Sequence, residues 1–77
     1  MRAYRPRRST LELAQALGRV DRVDRVDIGA PSTYGGVRHP AYLVIWFDDG
    51  RRVEMSFVDA RSFLRSMRWT GQMRQGE

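Results

Sequence analysis

Residues 41–58 constrain the fold more than any other stretch of the chain. Ala41-Tyr42-Leu43-Val44-Ile45-Trp46-Phe47 is an unbroken apolar run rich in β-branched and aromatic residues, and Asp48-Asp49-Gly50 closes it. Residues 53–58 follow with apolar side chains at Val53, Met55 and Phe57. Such a run, bounded by an Asp-Gly turn and answered by period-two alternation, reads as a β-hairpin. Two registers compete. A two-residue Asp49-Gly50 turn puts Tyr42, Val44 and Trp46 on the face of Val53, Met55 and Phe57. A three-residue turn with Gly50 left-handed shifts the pairing by one and brings Leu43, Ile45 and Phe47 to that face instead. We favour the second, because it leaves Tyr42 and Trp46 beside Arg52, Glu54 and Ser56. In either register the first strand is apolar on both sides, as a central or partly covered strand is.

A helix is expected on each side of this hairpin. Ser9 and Glu12 form a capping box, worth about 1 kcal/mol, ahead of an apolar stripe of Leu13, Ala14 and Leu17 with Leu11 at its edge. Gly18 suits the C′ position that ends it. At about eight residues this helix needs tertiary packing to exist. The second helix has Asp59 as N-cap, with Val58 and Phe63 placed for a hydrophobic staple. Ala60, Phe63, Leu64 and Met67 make its buried stripe. Arg61, Arg65 and Arg68 make a cationic row opposite, with Trp69 close to it. Gly71 ends this helix.

Between the first helix and the hairpin lies a threefold repeat, Arg19-Val20-Asp21, Arg22-Val23-Asp24, Arg25-Val26-Asp27, closed by Ile28. Period three fits neither helix nor strand. The β-branched residues and Gly18 favour a strand over about 22–28 with Val26 and Ile28 inward, the charges forming a solvated ladder. Residues 29–40 carry Gly29, Pro31, Ser32, Gly35, Gly36 and Pro40, which read as a functional or mobile loop. The expected fold is therefore α+β: a small single domain over 9–70 in α-β-β-β-α order. Its three-stranded antiparallel sheet has both helices packed on one face. Residues 1–8 form a flexible basic arm and 71–77 a frayed tail.

A chain of 77 residues buries only about 60–65% of its unfolded surface, so one compact core is all it can build. It has no cysteine and one histidine, which removes disulfides, thiolate sites and a Cys nucleophile and argues against a His-based metal site; no metal and no small-molecule cofactor is expected. The apolar run at 41–47 is too short to cross a bilayer, and the basic N-terminus has no apolar segment behind it. A soluble, cytoplasmic protein is expected.

All fourteen basic residues are Arg, against nine acids, for a net charge of +5. The charge is uneven. Arg2, Arg5, Arg7 and Arg8 face no acid within residues 1–8, and Arg61, Arg65, Arg68 and Arg74 face only Asp59 and Glu77 within 59–77. The body between is nearly neutral. Arginine binds phosphate and carboxylate through two parallel hydrogen bonds and stacks on rings, so the partner expected is anionic.

Catalysis is poorly provided for. His39, beside Arg38 and near Tyr34, is the candidate proton carrier for RNA cleavage, set against the plainer reading of a loop histidine. Asp48-Asp49 is turn chemistry rather than a metal pair, and Gly35-Gly36 is too short to cradle a phosphate. The binding candidates are Arg2, Arg5, Arg7, Arg8, Arg38, Arg52, Arg61, Arg65 and Arg68 for phosphates. Trp69, Tyr42 and Trp46 are the candidates for stacking.

Over residues 10–70 the element order resembles the double-stranded RNA-binding fold, including Gly36-Val37-Arg38-His39-Pro40-Ala41-Tyr42 ahead of the second strand. At the start of the last helix, where that family carries a lysine cluster, this chain has Val58-Asp59-Ala60-Arg61-Ser62. Asp49-Gly50-Arg51-Arg52-Val53 and the following helix also resemble HicA-type mRNA interferases, whose Gly-Ser-His motif is missing here. Neither resemblance identifies the chain.

The function expected is that of a small non-enzymatic binding protein on an anionic partner, with RNA or DNA favoured. The alternative is an adaptor or inhibitor of phage or mobile-element type, docking on an acidic protein surface of a nucleic-acid-processing complex. A HicA-like RNase using His39 comes third. No membrane partner is expected, and an edge strand leaves a homodimer open.

Overall fold

The apolar run becomes the central strand of a three-stranded antiparallel sheet. The computed structural model describes residues 3–74. In chain order these form α1 (Arg8–Leu17), β1 (Val23–Gly29), β2 (Ser32–Tyr34), β3 (Val37–His39), β4 (Tyr42–Phe47), β5 (Arg52–Ser56) and α2 (Phe57–Trp69). The main sheet has the order β1-β4-β5, and β2 and β3 pair separately.

The β4–β5 register is the one that the three-residue turn demands. Leu43 lies opposite Met55 and Ile45 opposite Val53. Gly50 takes a φ of 90°, and its N–H donates to the Phe47 carbonyl at 3.0 Å. Leu43 and Ile45 are thereby fully buried, with Leu13 and Leu17 of α1 and Ala60 and Leu64 of α2 closing over them. Both helices therefore cover one face of the sheet. Each fully buried Leu or Ile contributes about 1.5–3 kcal/mol through transfer from water.

The threefold repeat is resolved by two local devices. Val20 sits in a turn after α1, where the Val23 N–H donates to the Val20 carbonyl at 3.1 Å and Arg22 adopts a left-handed φ of 70°. Further on, Val23 pairs with Phe47 but Arg25 pairs with Trp46, leaving Asp24 as an extra residue in a β-bulge. The bulge offsets the strand's period of two by one residue, so Val23 and Val26 both face the core although three positions apart. Val20 and Val23 are buried completely, and Val26 and Ile28 point inward as expected.

Several local expectations are corrected. The stretch 29–40, read as a loop, folds into the β2–β3 hairpin, with Gly35 and Gly36 at φ 59° and 75° in a turn that favours glycine at both positions. The described residues thus form five strands in two sheets rather than three in one. The α1 helix begins at Arg8 with Arg7 as N-cap and no side-chain cap, so Ser9 lies inside the first turn and the Ser9–Glu12 capping box does not form. Gly18 ends α1 in the right-handed region, at φ −64°.

The α2 helix starts directly out of β5. Phe57 belongs to it, and Ser56 rather than Asp59 is the N-cap, its hydroxyl accepting from the Asp59 N–H at 3.1 Å. Asp59 sits instead in the first turn, where a carboxylate meets the positive end of the helix dipole. Val58 is largely exposed, so the staple is not made.

The segment after α2, expected to fray, is held through Arg74. Met73 forms an antiparallel bridge with Val20, and the Asp21 N–H donates to the Gln72 carbonyl at 2.7 Å. The Arg74 N–H donates to the Arg19 carbonyl at 2.8 Å, and its guanidinium donates to the carbonyls of Gly18 and Val23. Backbone pairing against the Val20 turn supplies what sequence periodicity does not announce. Residues 75–77 of the expected tail lie outside the described residues.

Candidate functional site

Six of the nine arginines expected to meet an anion line two adjoining hollows. The first, about 430 Å³, lies between the N-terminal segment, the β3 end and the start of β4, and Arg5, Arg7 and Arg38 line it with Tyr4 and Tyr42. The second, about 960 Å³, is an open groove between α1 and α2, lined by Arg61, Arg65, Arg68 and Trp69 over a floor of Leu13, Phe57 and Leu64. Ser9 and Phe57 line both, so the two hollows meet at these residues and together make an arginine-lined track. The row on α2 was expected on the helix face away from the core. It runs instead along the edge of that face, because α1 lies beside α2 and turns the edge into one wall of a groove.

The electrostatics of the track are one-sided. Among the described residues lining the two hollows, six are Arg and Glu12 is the one acid. The arginine ion pairs among the described residues are Arg25–Asp27, Arg51–Asp49 and Arg52–Glu54, and all three lie outside the track. All six track arginines are exposed. The Arg61 guanidinium rests 5.9 Å from the Phe57 ring centre, which draws the α2 row towards the junction of the hollows. Trp69 is 90% exposed at the far end of the groove.

The open face of the sheet is a different surface. The registers of β1, β4 and β5 bring Arg25, Trp46 and Arg52 into one row, Asp27, Val44 and Glu54 into the next, and Gly29, Tyr42 and Ser56 into a third. Trp46 is half-buried. The Arg25 guanidinium lies 4.7 Å and the Arg52 guanidinium 5.6 Å from its ring centre, and its Nε1 donates to Asp27 at 2.9 Å. Asp27 also pairs with Arg25 at 3.5 Å, and Glu54 with Arg52 at 2.8 Å. The four charges cancel and the indole is occupied. Trp46 and Arg52 are therefore engaged with their neighbours, away from the track.

Tyr42 divides its role: its ring covers Gly29, where a Cβ would fall 2.1 Å from the Tyr42 Cζ, and it also edges the first hollow. Arg8 opens α1, exposed, apart from the residues lining either hollow, and Arg2 lies outside the described residues.

The residues proposed for proton transfer are only partly assembled. His39 stacks on Tyr34 with ring centres 4.3 Å apart and planes 13° from parallel, a diagonal cross-strand pair on the β2–β3 hairpin. Arg38 alternates to the hairpin's other face, towards the first hollow. Among the described residues no group of three or more His, Asp or Glu gathers as a metal site. In the β4–β5 turn the Arg51 backbone N–H, aided by the Arg51 guanidinium at 2.7 Å, holds Asp49 below its ordinary 3.8.

The sequence reading missed Tyr4 and the apolar floor of Leu13, Phe57 and Leu64. These come from three separate parts of the chain, the N-terminal segment, α1 and α2, and no local pattern links them. Comparison with protein-family models, curated proteins and solved structures finds no match for this chain. Neither described helix is long and apolar enough to cross a membrane.

Proposed function

We propose that the protein is a non-enzymatic module that binds nucleic acid along the arginine track. The observation that carries this reading is the placement of Arg5, Arg7 and Arg38 beside Arg61, Arg65 and Arg68 around two adjoining hollows whose lining holds a single acid among the described residues. Guanidinium groups without carboxylate partners are free to take phosphate oxygens two at a time. Six phosphate contacts give a slope of log K against log salt of about −4 for a single strand and about −5 for a duplex.

Fluorescence anisotropy of a labelled mixed-sequence oligonucleotide between 50 and 200 mM salt, about the range where phosphate contacts dominate, measures that slope. Replacing Arg61, Arg65 and Arg68 together by Gln should halve it and weaken binding at every sequence. Unchanged affinity and slope in the triple variant would remove the track from the reading. A second reading, docking on an acidic protein face, is favoured by Trp69 alone: an exposed Trp beside arginines has the composition of a binding hot spot.

A further inference from the structure

We infer that the track takes a single strand rather than a duplex, with Trp69 as a platform for an unpaired base. This rests on the nucleic-acid reading above and sharpens it. Three features of the track point the same way. The cations line concave walls, and an extended strand can enter a groove that a rigid duplex only caps. The groove floor is apolar at the half-buried Phe57, with the edges of the buried Leu13 and Leu64 beneath, which suits the face of a base and offers nothing to a sugar-phosphate rod. Trp69 stands 90% exposed at the end of the Arg61–Arg65–Arg68 row, on the same groove.

A cationic groove that follows the backbone, combined with an aromatic face for bases, is how single strands are held without sequence preference. In a duplex the bases are already stacked on each other, so an exposed indole would gain nothing from them. The contrast with Trp46 sharpens the assignment. That ring is flanked by Arg25 and Arg52 and tied to Asp27, whereas no aromatic or cation contact occupies the Trp69 ring among the described residues. Successive arginines on α2 rise about 6 Å and about 4.5 Å along the helix axis, so the row runs lengthwise beside a strand. One phosphate per arginine makes a site of about six nucleotides.

The test uses the full chain carrying Trp46→Phe, so that Trp69 is the remaining tryptophan and its fluorescence reports the site directly. Probes are oligo-dT and oligo-rU of about 12 nucleotides, and a blunt mixed-sequence DNA duplex and RNA duplex long enough to stay paired, all at one salt concentration. The single strands should bind about tenfold more tightly than the duplexes and quench Trp69 emission. Trp69→Ala in the otherwise natural chain should cost about tenfold on single strands and leave duplex affinity unchanged, with Trp69→Phe restoring most of the loss. The DNA and RNA arms tell which sugar is preferred. Duplexes binding as well as single strands, or Trp69→Ala weakening neither, overturns the inference and leaves the nucleic-acid reading standing. Absence of binding to all four probes overturns the nucleic-acid reading itself.

Discussion

Removing Asp24 should leave the fold nearly intact, whereas removing Asp27, the same residue type in the next copy of the repeat, should abolish most of its stability. Asp24 is exposed and has no partner in the β1–β4 ladder. Without it Val23 still faces Phe47 and Arg25 still faces Trp46, now in unbroken alternation, so no core side chain changes face. The cost should be about 1 kcal/mol, the scale of readjusting the backbone hydrogen bonds around Arg22 and Val23.

Deleting Asp27 acts differently. With Ile28 held opposite Leu43, Val26 moves opposite Val44 on the open face and Arg25 moves opposite Ile45, into the core. Loss of the Val26 burial costs about 1–2 kcal/mol, and a guanidinium turned into an apolar core costs several more. Removal of the Trp46–Asp27 hydrogen bond adds about 1 kcal/mol. The sum rivals the whole stability of a domain this size, about 4–11 kcal/mol. Urea unfolding followed by tryptophan fluorescence and far-ultraviolet circular dichroism compares the two deletions, with Asp27→Asn as the control for the lost carboxylate. Equal midpoints for the two deletions, or an unfolded chain lacking Asp24, would refute the bulge account.

Gly29→Ala should cost about 1–2 kcal/mol, because the new Cβ displaces the Tyr42 ring; the penalty should largely vanish in a Tyr42→Ala background, which a double-mutant cycle measures. Arg74→Gln should lower stability by about 1–3 kcal/mol through loss of the guanidinium contacts to the Gly18 and Val23 carbonyls, read from the urea midpoint. Asp49 is depressed below 3.8 in the folded state, so its contribution is present above that value and fades as pH falls through the folded pKa. Urea midpoints measured from neutral pH into that acid range should therefore fall less steeply for Asp49→Asn than for the natural chain.

The β4–β5 register was legible because alternation and Gly50 agree: only one turn length puts Leu43 and Ile45 with Met55 while Gly50 takes the left-handed conformation. The inward direction of Val26 and Ile28 was legible for the same reason, one face being buried. The β2–β3 hairpin was hidden by the opposite circumstance. Its residues are exposed, apart from the half-buried His39, so they carry no hydrophobic period, and Gly35-Gly36 alone had to signal the turn. The helix starts were misplaced for two different reasons: at α2 the Ser56 hydroxyl competes with the Asp59 carboxylate as cap, and α1 starts from Arg7 with no side-chain cap to signal it.

Sequence by itself determined that the positive charge resides at the two ends of the chain and on one row of the last helix, and that β4 is the hub of a sheet. These are local matters of composition and period. Whether that charge makes a surface was decided by tertiary structure. Burial of Leu13, Leu17, Ala60 and Leu64 on the same sheet face lays α1 beside α2, and that packing converts a convex row into the wall of a groove. The hairpin and the N-terminal segment then bring Arg38, Arg5 and Arg7 to its end. Concavity and convergence are properties of packed faces, which contacts between residues distant in the chain create.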